Sequence, residues 1–225
     1  MSALDFLTPA SASDQVAAKT PMERLARAAG ARFERRDGWN VAVDYGEPSA
    51  ERTRIKQTVG FADRSWIRKL ELHGEAVTES LGLSLGTAER RADGASWCPV
   101  TLTRALVLGG PSTQHELELP DGVSTVDLTC GLAAMTLVGP GCREVLARFC
   151  AIDVRPAVAP VHAFRPGSVA RTPGYVLVEA PDQLLIMVGW ALGEYLWEVV
   201  ADAAEDLGGG PVGADALAER ESADA

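Results

Sequence analysis

Two aspartates sit in the same short setting, Asp63-Arg64-Ser65 and Asp127-Leu128-Thr129, each leading into an apolar-alternating stretch. Carboxylates do acid–base chemistry as a pair only if the fold brings them within about 10 Å. Asp-x-[Ser/Thr] segments also have a plainer use, in which the carboxylate accepts a hydrogen bond from nearby backbone. On sequence alone both readings stand.

A third candidate lies in TVDLTCGLAAMTLVGPGCREVL, residues 125–146, which has the outline of a phosphate-binding turn: strand, Gly139-Pro140-Gly141, helix. A dinucleotide fingerprint needs a small residue where Glu144 stands, and no Gly-Lys-[Ser/Thr] follows to make a phosphate loop. The turn reads as a corner entering a helix. Metal chemistry has less support. Cys98, Cys130, Cys142 and Cys150 include no C-x-x-C pair, and His73, His115 and His162 lack ligand spacing. The cysteines are expected to be buried thiols.

The chain that must position these groups has 225 residues, enough for one large domain or two small ones. With 21 basic and 31 acidic residues the net charge is -10, which opposes the field of nucleic acid. The N-terminal stretch lacks a basic region followed by a long apolar core, so no signal peptide is expected. The most apolar run, Leu184 to Leu192, is about half the length that spans a bilayer. These features predict a cytoplasmic protein that binds neither membrane nor nucleic acid.

Periodicity divides the chain into a loose arm (1–19), a body (20–207, with a possible division into 20–120 and 121–207) and a mobile tail (208–225). Thr20, Pro21 and Glu23 predict a capped helix ending at Gly30. Phe33 to Tyr45 reads as one half-buried strand, with Trp39, Val41, Val43 and Tyr45 at alternate positions. A helix is predicted over 47–59, a strand over 66–72 and a short helix over 75–83. Residues 86–99 read as loop, 102–108 and 116–119 as a hairpin, 132–138 as a strand and 142–150 as a helix. Strands at 175–179 and 184–188 pair around Pro181-Asp182, and a helix covers 192–205. The irregular alternation predicts an α+β fold. FADRSWIRKLELHGEAVTESL, upstream, echoes 125–146 as a duplicated strand-turn-helix unit, with the strand register differing by one residue.

These residues carry a resemblance. Gly38-Trp39, Val43-Asp44-Tyr45, Gly60 to Ser65, Asp127-Leu128-Thr129, Leu137 to Pro140, Arg143 to Leu146 and Arg171 to Tyr175 resemble segments of the aminomethyltransferase superfamily, which has the folate-binding fold of the glycine cleavage T protein. Cys150 to Val154 and Glu194 to Trp197 are most similar to the gamma subunits of heterotetrameric sarcosine oxidases. The resemblance implies that fold without the C-terminal barrel. The acidic hairpin of T proteins has no counterpart in 102–119, and the Thr-Gly-Glu that follows their Arg-Thr-Gly-Tyr is missing.

The resemblance therefore implies a non-catalytic accessory subunit in a complex that oxidatively demethylates an N-methyl amine or amino acid. No cofactor is expected in this chain. FAD, FMN, NAD and tetrahydrofolate would belong to partners, namely larger amine-oxidase-like flavoprotein subunits and a small zinc-binding subunit. The alternatives are a standalone folate-dependent aminomethyltransferase or demethylase, with Asp63 and Asp127 as its carboxylates, and a small-molecule binding protein without turnover. If folate bound here, Arg68, Arg104 and Arg171 would be the candidates for its glutamate tail.

Overall fold

The computed structural model describes residues 17–92, 94–109 and 119–223. A short helix, α1 (Glu23–Ala28), leads into the hairpin β1 (Arg32–Arg36) and β2 (Trp39–Asp44), followed by α2 (Pro48–Gln57). Next come β3 (Gly60–Asp63), β4 (Arg68–His73), α3 (Val77–Ser80), β5 (Glu89–Arg90), β6 (Ser96–Thr101) and β7 (Arg104–Gly109). Then follow β8 (Ser124–Asp127), β9 (Leu132–Val138), α4 (Cys142–Ala147), β10 (Phe164–Val169), β11 (Thr172–Ala180) and β12 (Gln183–Gly189). The chain closes with α5 (Gly193–Glu205), β13 (Gly210–Pro211) and α6 (Ala214–Ala223).

Two sheets carry the fold. One has the order β10-β11-β12-β9-β3-β13 and is antiparallel except for the β13–β3 pair; the other has the order β5-β6-β7-β4-β8. They pack face to face: Cys98, Leu106 and Leu108 of one sheet share a cluster with Leu177, Leu185 and Met187 of the other. The six-stranded sheet buries its second face under α1, α4 and α5, where Met135, Leu137 and Ile186 meet Leu146, Leu196 and Trp197. The five-stranded sheet is backed by α3, with Leu70, Leu72 and Trp97 against Val77. Strands covered on both sides need apolar residues at consecutive positions, which explains the runs LAAMTLV and QLLIMVG. Fully burying one such side chain contributes about 1.5–3 kcal/mol.

The duplicated units are the hinges of this arrangement. The segment β3–β4 passes from the six-stranded to the five-stranded sheet, and β8–β9 passes back, antiparallel to it. Because each sheet takes strands from both halves, the division at 120/121 separates neither sheet from the other.

The structure corrects four expectations. Thr20 does not close a capping box; Met22 is the residue before α1, and no side chain caps it. The run read as one strand is the β1–β2 hairpin, turned at Asp37-Gly38, both with positive φ. The stretch read as loop contains β5 and the start of β6, pinned by pairing with β7. Residues 208–223, expected as a tail, are packed: β13 pairs with β3, and Ala216 and Leu217 of α6 are buried with Ile55 and Val212. Most of the expected strand over 116–119, residues 1–16 of the arm, and His115 lie outside the described residues.

Candidate functional site

Asp63 and Asp127 occupy equivalent places, one at each passage between the sheets. The Ser65 amide donates to Asp63 Oδ1 at 2.8 Å, and the Thr129 amide donates to Asp127 Oδ1 at 2.7 Å. The symmetry extends to the backbone. Arg64 N–H reaches the Ala134 carbonyl at 2.9 Å, as Leu128 N–H reaches that of Lys69 at 2.8 Å. Ser65 Oγ accepts from Ala134 N–H at 3.1 Å, as Thr129 Oγ1 accepts from Lys69 N–H at 3.2 Å. Ser65 thus lies four residues before Lys69 and Thr129 five before Ala134, the one-residue offset visible in the sequence. Each carboxylate holds a turn, and Asp127→Ala should cost about 1 kcal/mol in urea unfolding.

The surroundings of Asp63 differ. Thr20 donates its hydroxyl to Oδ2. Burial pushes the Asp63 carboxyl up, while the Thr20 and Ser65 hydrogen bonds and the nearby Lys69 pull it down. Lys69 has no exposed surface and donates from Nζ to the Ser65 and Ile67 carbonyls at 2.7 and 2.8 Å. Burial lowers its pKa to about 7, against the pull of Asp63, Cys130 and Asp127. Tyr45, tilted against Trp197 at 6.4 Å, has a buried hydroxyl with no partner among the described residues. Its pKa is raised by burial, then by Asp63 and Glu51. Phe61 closes this cluster edge-on to Trp197, with centroids 5.1 Å apart.

A cleft of about 1260 Å³ opens between the sheets where β11 turns into β12. Ile67, Leu108 and Leu185 give it apolar walls. Its polar end is a network: Arg64 Nη1 donates to Glu179 at 2.7 Å and to Thr136 at 3.1 Å, and Gln183 Nε2 donates to Glu179 and Glu221. Arg220 forks onto Asp182, with both bonds at 2.9 Å. Two members of this lining, Arg220 and Glu221, belong to α6.

Of the arginines that the resemblance offers for a folate tail, Arg68 and Arg104 do not meet. Arg68 faces Gly109 and Arg104 faces His73, at opposite ends of β4, about 17 Å apart along the strand. Arg104 is held by Glu71, whose other oxygen meets His73 Nε2 at 2.7 Å. Arg171 lies in the turn between β10 and β11 with φ of 62°. The left-handed backbone at 171 is strained for arginine but free for glycine, so Arg171→Gly should stabilise by about 1 kcal/mol in thermal unfolding.

The Gly139-Pro140-Gly141 corner is occupied by protein. Gly139 N–H donates to the Asp182 carbonyl and Gly141 N–H to that of Thr58, at 2.8 and 2.9 Å. Gly139 has φ of 109°, and a Cβ there would stand 2.7 Å from the Ile55 carbonyl oxygen. Three cysteines are buried as expected, but Cys130, in the Asp127 turn, is exposed. Its pKa is raised all the same, burial being the largest cause. Among the described residues, no three His, Cys, Asp or Glu side chains converge as metal ligands, and no helix is long and apolar enough to cross a membrane.

No family model matches the sequence. A search of curated proteins gave no significant relative. Solved structures do match. The glycine cleavage system aminomethyltransferase T from Bartonella henselae superposes with a TM-score of 0.74 at 17% identity, covering 88% of this chain. This chain spans only 60% of that protein's length. Heterotetrameric sarcosine oxidase from Corynebacterium sp. U-96, solved with pyrrole 2-carboxylate, superposes with a TM-score of 0.60 at 16% identity. That match covers 84% of this chain and 95% of the other. Paired sheets joined by two symmetric passages, with no closed barrel among the described residues, make this the α+β, folate-binding aminomethyltransferase-like fold.

Proposed function

We propose that this chain is an accessory, gamma-type subunit of a sarcosine oxidase-like complex that oxidatively demethylates an N-methyl amine or amino acid. One observation carries the reading: the match covers 95% of a chain from a heterotetrameric oxidase but 60% of the aminomethyltransferase. Nearly the whole of that oxidase chain thus has a counterpart in this fold. The site supports this role. Asp63 and Asp127 hold turns, and the ion pairs Arg64–Glu179 and Arg220–Asp182 occupy the polar end of the cleft. FAD, FMN, NAD and tetrahydrofolate would then reside in the partner subunits.

The higher TM-score, 0.74, favours the alternative of a standalone folate-dependent transferase or demethylase. Kinetics of the purified complex separates the two. With Asp63→Asn or Asp127→Asn in this chain, turnover per flavin should stay within about twofold of wild type. A general acid or base contributes roughly 100- to 10,000-fold, so a loss of that size with the complex intact would contradict the accessory role.

A further inference from the structure

Two adjacent residues of α6 fill the polar end of the cleft. Arg220 places its guanidinium on both oxygens of Asp182, at 2.9 Å each. Glu221 accepts from Gln183 Nε2 at 3.0 Å and lies 3.9 Å from the Arg64 guanidinium. The body of the protein thus offers a carboxylate for a cation and, at the next residue, an amide donor beside a guanidinium for an anion. Gln183 is only 6% exposed, and its Nε2 also donates to Glu179. A buried donor left without an acceptor costs free energy, so the second N–H of that amide needs a partner, whether α6 or a ligand.

The helix that fills this end is held by its other half. Ala216 and Leu217 are buried with Ile55 and Val212, whereas none of residues 218–222 is buried. Besides Arg220 and Glu221, that stretch offers Glu219, which pairs with Arg52 at 3.1 Å between exposed side chains. Exposed pairs are weak and screened by salt. A segment with so little apolar burial opens at lower free energy than the buried strand β12 beside it.

We propose that the polar end of the cleft binds a small zwitterion, an ammonium and a carboxylate in one molecule, and that α6 closes this site with Arg220 and Glu221. The ligand's ammonium takes Asp182, and its carboxylate takes Gln183 and Arg64. An ion of a single charge would satisfy one of these subsites and meet the wrong charge at the other. The apolar walls Ile67, Leu108 and Leu185 accommodate the remainder of the molecule. Release of residues 218–222 opens the site while Ala216 and Leu217 stay docked. The inference holds whether or not the chain is an oxidase subunit.

Arg220→Ala combined with Glu221→Ala, in the full chain, tests it. The urea midpoint should stay at the wild-type value, because the apolar half of α6 is untouched. Amides of 218–222 should exchange roughly tenfold faster than in wild type, and those of 184–188 at the same rate. Calorimetry with glycine, β-alanine and 4-aminobutyrate then samples the spacing of the charges. At least one of them should bind the variant roughly tenfold more tightly than wild type, since a closed fraction lowers apparent affinity. Acetate and ethylammonium should not match it, and Asp182→Asn in the same background should abolish the gain. Glu221→Gln alone, which keeps the shape of the side chain, should show a smaller gain with the same zwitterion. Failure of both variants to bind any of the three would overturn the inference. Equal binding by wild type, equal binding of acetate, or unchanged exchange at 218–222 would overturn it as well.

Discussion

Gly213→Ala should destabilise the protein by at least about 3 kcal/mol, near the upper end for overpacking. A Cβ at Gly213 would fall inside the Val43 carbonyl group and against the Asp44 amide, both backbone atoms that cannot rotate away. The same residue is tied by its N–H to Glu51 Oε2 at 2.7 Å, while Oε1 of that buried glutamate holds the Tyr45 amide. The substitution would therefore lift α6 from β2 and α2. With it would go Arg220 and Glu221, leaving Gln183 and Asp182 at the cleft without those partners. Gly189→Ala is the control, since nothing lies within 4 Å of its added Cβ. Urea midpoints should separate the two variants, and limited proteolysis of Gly213→Ala should cut first within 208–223. Equal stability of both would mean that α6 is dispensable.

The second large effect is a dependence of stability on pH. Lys69 titrates near 7 in the fold but near 10.5 in the unfolded chain. Between those values the unfolded chain holds a proton that the folded protein lacks, so this residue makes stability rise with pH from about 7 to 10.5. At 1.36 kcal/mol per unit, the rise from pH 7 to 9.5 is roughly 3 kcal/mol. Asp63 acts in the acid range: its folded pKa is raised, so its contribution falls as pH climbs from 3.8 through that value. Chemical denaturation of wild type and Lys69→Met across pH 7 to 9.5 isolates the lysine, because other titrations are common to both. The difference should grow by roughly that amount. Parallel curves would mean that the Ser65 and Ile67 carbonyls and Asp63 hold the buried ammonium as well as water does.

The fold was legible wherever one segment carried its own pattern. Leu132 to Val138 reads as a strand because every residue after the first is buried, and the β11–β12 hairpin reads from its Pro181-Asp182 turn. The duplicated Asp-x-[Ser/Thr] units were legible down to the offset in register. What escaped was set by contacts between distant segments. Trp97 and Cys98 are strand residues because β7 pairs with them, although glycine and charge precede them. The glycines before α6 look like a flexible tail in isolation. In the fold they are close approaches: Gly209 lies against the Val59 carbonyl and Gly213 against Val43.

Lys69 and Glu71 sit where an alternating strand would point polar groups at water, yet that face of β4 is covered by the second sheet. The cleft had no local signal, because Arg64, Glu179, Gln183 and Glu221 come from four separate elements or their junctions. Thr20 likewise carries a helix-capping signal, but its hydroxyl goes to Asp63, which is 43 residues away in sequence.

The most direct measurement is the native mass of the protein purified from its own host through a tag on this chain, with an absorption spectrum of the same fraction. A subunit role requires a stoichiometric complex much heavier than the 23.8 kDa chain, with a flavin spectrum. A colourless monomer or homodimer would contradict it and make tetrahydrofolate binding by the isolated chain the next measurement.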